Sequence, residues 1–251
     1  MKRPARRLQR IAEKLRLRLK LGWAFATGYE DANHRARHRV SFSQCGEDMI
    51  AWFLFSLRGI DRPRYLDIGA HHPTYLSNTA LFSLLGARGL NVEPDPGLFA
   101  AFPLQRPRDI NLNIGIAETA GEMTFYRMSD PTLNTFSQEE AERLAQRPGF
   151  AIRERVRLPV EPIASVLARH QFVPDFVSID VEGRDLDILR TYDFERHRPL
   201  VICAETLEFQ GAPAGRKNTD LIEFLQARGF AVYADTHINT IFLDERPRPA
   251  P

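Results

Sequence analysis

The sequence predicts an α/β fold: a mostly parallel, seven-stranded sheet with helices on both faces and an antiparallel pair of strands at its carboxyl end. Three observations predict it. Short apolar runs of strand length alternate with stretches of helical length, the pattern of β-α-β units. Acidic residues recur where those runs end, at Asp67, Glu93, Asp180 and Glu205. The last two runs lie too close together for a helical crossover, so they must pair antiparallel.

The elements follow in order. Ser41 to Asp48 reads as a polar turn that feeds an apolar helix, Met49 to Leu57. Strand 64–68 leads to a helix from Ser77 to Leu85, which Gly86 stops. Strand 88–92 ends at Glu93, and Pro94 and Pro96 punctuate the turn. A helix near 97–102 and strand 109–113 come next, and Met123 to Arg127 forms an extra strand. Residues 128–158 are the least regular part, with a helix at 137–147. Strand 156–160 and helix 162–170 lead into strand 175–179. A helix at 184–191, strand 199–204 and a helix at 219–228 stopped by Gly229 precede the final strands, 230–234 and 238–243.

The chain has 251 residues, 43% of them hydrophobic, which suits one α/β domain with a real core and an appendage. Two cysteines make no disulfide framework; Cys203 is expected buried in its strand and Cys45 exposed, and a reducing cytoplasm is the simpler setting. The longest apolar run, Met49 to Leu57, is well short of the roughly 20 residues of a membrane span. Three segments are expected: a basic helical arm over residues 1–40, the α/β domain over 41–245, and a disordered proline-rich tail over 246–251. Residues 1–20 set nine Lys/Arg against the single acid Glu13, while the net charge of the whole chain is only +2, so the body is acidic. No apolar segment follows these charges as in a signal peptide. Leu8, Ile11, Leu15 and Leu19 share a helical face, and the arm reads either as a solvated appendage or as a peripheral contact with anionic lipid, which would place the protein at the inner membrane face. Nucleic acid is not expected as a partner, because no basic or aromatic patch continues the arm into the body. The sequence is silent on oligomeric state.

The stretch Arg64-Tyr-Leu-Asp-Ile-Gly-Ala-His71 carries the chemistry. A buried strand ending in Asp67 and a small-residue turn is how an S-adenosylmethionine site is built, with Gly69 and Ala70 allowing close backbone approach. Asp67 would hold the cofactor's amino group; the plainer reading is a helix cap. Glu93, one strand on, suits the two ribose hydroxyls; the plainer reading is a surface Glu. Asn113 would face the adenine edge or serve as an ordinary turn residue. Asp180 and Glu182 flank Val181 and would share a side if the strand ran that far. They would orient the methionine moiety, act as a base or, with Glu205, ligate a divalent cation such as magnesium. His71 and His72 are general-base candidates, with His72 extended before Pro73, and His237 lies in the terminal turn. Gln44 and Glu47 read as ligand contacts or as an imperfect capping box with Ser43. Asn78, Asn134, Thr135 and His237 are candidates for the acceptor side.

Seven motifs in order resemble the FkbM-type family of S-adenosylmethionine-dependent O-methyltransferases: Ser43-Gln-Cys-Gly-Glu-Asp48, Tyr65-Leu-Asp-Ile-Gly-Ala70, Asn91-Val-Glu-Pro-Asp95, Ile110-Asn-Leu-Asn113, Asn134-Thr-Phe-Ser137, Asp180-Val-Glu-Gly183 with Asp185-Leu-Asp-Ile-Leu189, and Glu205. The resemblance covers about residues 41–243 and implies the Rossmann-like class I methyltransferase fold. It also implies that Gln44 and Glu47 fold over the cofactor's amino-acid end, and that the acceptor is a hydroxyl of a sugar in a glycan, glycolipid or glycosylated natural product. One departure stands out: His71-His72-Pro73 occupies the place where many relatives carry a second glycine. Two rivals remain, a catalytically silent Rossmann-like binding protein and a nicotinamide-dependent oxidoreductase. The single glycine of Gly69-Ala-His-His-Pro-Thr74 argues against the latter, and acids at four strand ends argue against the former.

Overall fold

The computed structural model describes residues 30–31, 34–35, 40–208 and 215–246. It divides into two compact units, Met1–Val40 and Ser41–Pro251. The described part of the first is a backbone hairpin, β1 (Glu30–Asp31) antiparallel to β2 (His34–Arg35). The expected helix over residues 1–20, its membrane contact and the tail after Arg246 lie outside the described residues.

In the second unit, α1 (Glu47–Leu57) begins two residues before the expected boundary, behind Gly46 in the left-handed region. The chain continues through β3 (Tyr65–Ile68), α2 (Ala80–Leu84), β4 (Gly89–Val92), the short helices α3 (Pro96–Phe99) and α4 (Phe102–Gln105), and β5 (Ile110–Leu112). Next come β6 (Gly115–Ile116), β7 (Gly121–Met128), a 3-10 turn at Pro131–Leu133, α5 (Gln138–Ala145) and β8 (Ile152–Glu161). The order closes with α6 (Ile163–Arg169), β9 (Phe176–Ile179), α7 (Asp185–Thr191), β10 (Val201–Glu205), β11 (Leu207–Glu208), β12 (Arg216–Lys217), α8 (Thr219–Gln226), β13 (Phe230–Asp235) and β14 (Asn239–Asp244).

Seven strands form the main sheet in the order β13-β14-β10-β9-β3-β4-β5. β10, β9, β3, β4 and β5 run parallel, and β14 pairs antiparallel with β10 and β13. This is the expected Rossmann-like sheet with its antiparallel carboxyl-terminal pair. Alternate residues serve two cores. Leu66, Ile68, Leu90, Val92, Val177 and Ile179 face α6, α7 and α8, while Tyr65, Phe176, Val201 and Cys203 face α1 and Phe82 of α2. Each large apolar side chain sealed in these layers contributes about 1.5–3 kcal/mol.

Several features depart from the sequence reading, among them the antiparallel pair β11–β12, where no strands were expected. The helix expected from Ser77 shrinks to Ala80–Leu84, because Ser77 and Thr79 spend their side chains on neighbouring polar groups instead. The helix expected near 97–102 splits in two. The extra strands are longer than expected and pair with each other: β7 lies antiparallel to β8, β6 runs parallel to β8, and the three form a separate sheet. An Asp95–Arg127 ion pair (2.9 Å) ties that sheet to the loop after β4.

The carboxyl ends of β3 and β9 are pinned together. Asp180 donates its N–H to the Ile68 carbonyl (3.0 Å), and Gly69 has φ 79°. A Cβ on Gly69 would stand 1.8 Å from the Asp180 carbonyl oxygen. Gly69→Ala should therefore lower unfolding stability by about 3 kcal/mol through steric overlap and left-handed strain. Urea denaturation checks this, and a change of a few tenths of a kcal/mol would show that the two strand ends can part freely.

Candidate active site

The parallel register sets the site. Asn111, Asn91, Asp67, Ser178 and Cys203 are successive cross-strand partners from β5 to β10, so five polar side chains form one row across a sheet face. Asn91, Asp67, Ser178 and Cys203 are buried. Just beyond the row the strands end, and a cavity of about 230 Å³ opens there. Gln44, Asp67, Gly69, Ala70, His71, Asn78, Glu93, Asn134, Thr135, Asp180, Glu182 and Glu205 all line it. Twelve of the residues singled out in the sequence thus meet in one place, which is the position expected for ligands at strand carboxyl ends.

Asp67 accepts a 2.5 Å hydrogen bond from the Thr79 hydroxyl at Oδ2. Burial pushes its pKa up, against the nearby Arg106 and the Thr79 hydrogen bond. Glu93 accepts the His71 N–H at Oε2 (2.8 Å) and the Asp95 N–H at Oε1 (2.7 Å). Burial nevertheless raises it to about 8. Each of its oxygens keeps a second lone pair for a ligand.

Asp180, Glu182 and Glu205 converge: one carboxylate oxygen from each lies within 4.8 Å of the others. They meet for a different reason than strand alternation. β9 stops at Ile179, and Glu182 turns back with φ 54° ahead of Gly183 at φ 94°. The Thr135 hydroxyl holds that turn by donating to the Glu182 carbonyl (2.7 Å). Asp180 is raised to about 7, by burial first and then by Asp185 and Asp67. Burial and their acidic neighbours push Glu182 and Glu205 well up too. Asp180 Oδ1 is sealed from solvent and has no hydrogen-bond partner among the described residues. A buried acceptor without a donor is costly in a folded chain.

Several candidates have other duties. Glu47 does not line the cavity; it accepts the Cys45 N–H (2.8 Å), the Thr236 hydroxyl (2.6 Å) and the Asn239 amide (3.0 Å), which joins α1 to the terminal hairpin. Burial raises its pKa, but those hydrogen bonds outweigh burial and leave it lowered. Asn113 also lies off the cavity and donates to the carbonyls of Glu93 (2.8 Å) and Pro94 (2.9 Å), which fixes the loop that carries Glu93. His72 is outside the lining as well, and its Nδ1 accepts the N–H groups of Thr74 (3.1 Å) and Tyr75 (3.0 Å), so that nitrogen is not free as a base. His237 is exposed in the terminal turn and does not line the cavity, although its neighbour Ile238 does. Asn134 lines the cavity, yet its amide joins Met128 N–H (2.8 Å) to Asp95 (3.3 Å). Asn78 donates to Ser178 (3.1 Å).

The glycine departure has a structural counterpart. His71 itself takes the left-handed conformation, φ 49°, where a glycine would be unstrained. Among the described non-glycine residues, His71, Leu76 and Glu182 combine positive φ with a place on the cavity wall, each at a cost of about 1 kcal/mol or more. Gly69 differs from expectation in detail, since its missing side chain accommodates the Asp180 carbonyl as well as lining the cavity.

Sequence reasoning missed Arg106, Thr79 and Ser178. Arg106 is buried and donates to Thr79 (2.7 Å), Ser77 (2.8 Å), Asn91 (3.0 Å) and the Pro73 carbonyl (3.0 Å). It follows a short helix in a polar stretch and carries no motif. The one signal was Asn91 and Ser178, polar residues inside strands too short and apolar to tolerate them unpaired.

A sheet of this order, with acids rimming a crevice at its strand ends, defines a Rossmann-like methyltransferase architecture. A family profile described as "Methyltransferase FkbM domain" matches residues 67–232, most of the chain, and the protein belongs to that family. It is an S-adenosylmethionine-dependent methyltransferase. No curated protein matches it. Among solved structures, a TehB-like SAM-dependent methyltransferase from Corynebacterium glutamicum is 12% identical, over 93% of this chain and 99% of that one, with TM-score 0.39. A Klebsiella pneumoniae protein named "putative O-methyltransferase" is 14% identical, over 84% and 83%, with TM-score 0.38. Both likenesses are too distant to bear on the chemistry.

The raised carboxyl groups fix the sign of a pH effect. Between the ordinary carboxyl range and the folded values of about 6 for Asp185, about 7 for Asp180 and about 8 for Glu93, the folded chain binds more protons than the unfolded one. Stability from these groups is therefore complete below about pH 4 and is lost as pH rises toward 8. The melting temperature of the ligand-free protein should fall between pH 5 and pH 8, and Glu93→Gln should flatten the upper part of that slope. A wild-type profile that rises over this interval would mean that the carboxyl groups are ionised throughout.

Proposed function

We propose that the protein transfers the methyl group of S-adenosylmethionine to a hydroxyl, that of a sugar in a glycan, glycolipid or glycosylated natural product. The observation that carries this reading is the set of carboxyl groups from four parallel strands facing one cavity. Asp67 and Glu93 line adjacent strand ends and suit the amino group and ribose hydroxyls of the cofactor, and Gln44 and Ala70 lie on the same wall. The chemistry of the donor set fits: an ammonium and a diol both donate hydrogen bonds, and these carboxylates are acceptors.

Bound S-adenosylmethionine supplies an electrophilic methyl on a sulfonium sulfur. The protein must align an acceptor oxygen at about 3 Å and take its proton. Asp180, with its unpaired Oδ1 and a pKa of about 7, is matched to that task near neutral pH. His71 is the second candidate: it lines the same cavity, and burial lowers its pKa. A second cavity of about 440 Å³ shares Thr132, Leu133, Glu182 and Glu205 with the first, so an acceptor seated there reaches the carboxylate cluster directly. Its acidic wall, including Asp185 and Asp187, accepts hydrogen bonds from sugar hydroxyls.

The convergence of Asp180, Glu182 and Glu205 also offers hard oxygens to a divalent cation such as magnesium. The unpaired Asp180 oxygen fits such an ion, which would lower the pKa of an acceptor hydroxyl.

Calorimetric titration with S-adenosylmethionine tests the cofactor assignments. Asp67→Ala and Glu93→Ala should each bind about tenfold or more weakly than wild type, and equal affinities would overturn the site. Asp180→Asn should keep cofactor affinity but lose about 10²-fold in methyl transfer from labelled cofactor to a responsive saccharide or glycolipid. Exhaustive chelation should abolish that transfer and magnesium restore it; transfer that survives chelation removes the cation and leaves Asp180 as base.

A further inference from the structure

We infer that Arg106 is a positioning residue for cofactor binding: through Thr79 it aims a hydrogen bond at Asp67, and through Pro73 and Ser77 it fixes the loop that walls the cavity. The inference rests on the reading that Asp67 holds the cofactor's amino group.

The donor count sets the direction of the hydrogen bonds. An arginine guanidinium only donates. Arg106 Nη1 donates to Thr79 Oγ1 (2.7 Å), so that hydroxyl must accept there. Its one proton is left for Asp67 Oδ2, 2.5 Å away. Asp67 is thereby fixed as an acceptor at Oδ2, and its plane is set. Ser178 also hydrogen-bonds this carboxylate, which lines the cavity.

The same guanidinium anchors the loop. Nε donates to the Pro73 carbonyl (3.0 Å), and Nη2 donates to that carbonyl and to Ser77 Oγ (2.8 Å). Leu76, Ser77 and Asn78 of this loop line the cavity, and Leu76 is held at φ 52°. A strained loop keeps its shape only where its surroundings over-determine it. Three donors from one buried side chain supply that constraint.

The cation is balanced at one remove on each side. Thr79 links it to Asp67, and Asn91 links it to Asp109: Nη1 donates to Asn91 Oδ1 (3.0 Å), and Asn91 Nδ2 donates to Asp109 Oδ2 (3.1 Å). Neither carboxylate touches the guanidinium through a hydrogen bond. A scaffold ion pair would place them in direct contact; here the intervening Thr79 and Asn91 give each carboxylate a fixed direction.

The test measures affinity for S-adenosylhomocysteine by calorimetry on folded Arg106→Ala, Arg106→Lys, Thr79→Val and Asp67→Asn proteins. Arg106→Ala should bind about tenfold or more weakly. Millimolar guanidinium should restore much of the loss, and equal urea should not. Faster hydrogen exchange over residues 73–79 should accompany the loss. Thr79→Val should weaken binding several-fold with that loop still protected. If Arg106→Ala does not fold, Arg106→Lys and Thr79→Val decide, both being expected to bind more weakly than wild type. Asp67→Asn separates the two levels of the argument. If it binds like wild type, the cofactor reading fails. If it binds weakly while Thr79→Val and the Arg106 variants bind like wild type, the role of Arg106 is overturned. Weak binding by Arg106→Ala that guanidinium does not restore would also overturn it.

Discussion

A charged group can be buried in a sheet only if its neighbours satisfy it, and this constraint organises the whole site. The row Asn111–Asn91–Asp67–Ser178–Cys203 interrupts an otherwise apolar sheet face. Parallel register makes the row unavoidable once each strand carries its polar residue at the matching position. Arg106 and Thr79 answer the charge of Asp67, and Asn78 answers Ser178 and Cys203. With these partners in place the strands stay together to their last residues, and the residues just beyond them, Gly69, Glu93 and Asp180, are delivered to one crevice.

Some buried polar residues are held by the fold and others face the crevice. Glu47 and Asp48, though buried, are fully engaged, as are Asn113 and Asn134. They build the frame. Asp180, Glu182 and Glu205 are crowded together, and an oxygen of Asp180 has no donor among the described residues. Their raised pKa values are the consequence of burial first and of that crowding second. Backbone strain concentrates on the same wall, at His71, Leu76 and Glu182, as is common where a ligand rather than the fold dictates geometry.

The small sheet of β6, β7 and β8 adds the other wall. Gly115, Ile116 and Phe125 face the cavity from it, and the Asp95–Arg127 pair fastens it beside the loop that carries Glu93. Asp95 also caps α3 by accepting the Gly97 N–H (2.8 Å), so one carboxylate serves a helix end and a sheet junction. The motif Asn91-Val-Glu-Pro-Asp95 therefore does three jobs: Asn91 joins the polar row, Glu93 lines the crevice and Asp95 holds the roof.

The sequence by itself determined the order of strands and helices, the antiparallel end of the sheet, and the acids at the strand ends. These are local properties: apolar runs, turn residues and the residue that follows a run survive any detail of packing. It also carried the motifs that mark the family. Only the tertiary structure decided which polar residues line the crevice and which serve the frame. Glu47, Asn113, His72 and His237 looked like equals of Asp67 and Glu93, but their partners, Asn239 for Glu47 among them, lie far away in sequence or in loops whose direction no pattern fixes. Arg106 was illegible for the same reason. Its five hydrogen bonds reach two separate segments, residues 73–79 and β4, and nothing in Gln105-Arg-Pro107 announces that a guanidinium will lie beneath the crevice. Propensity and pattern are written along the chain; satisfaction of a buried charge is written across it.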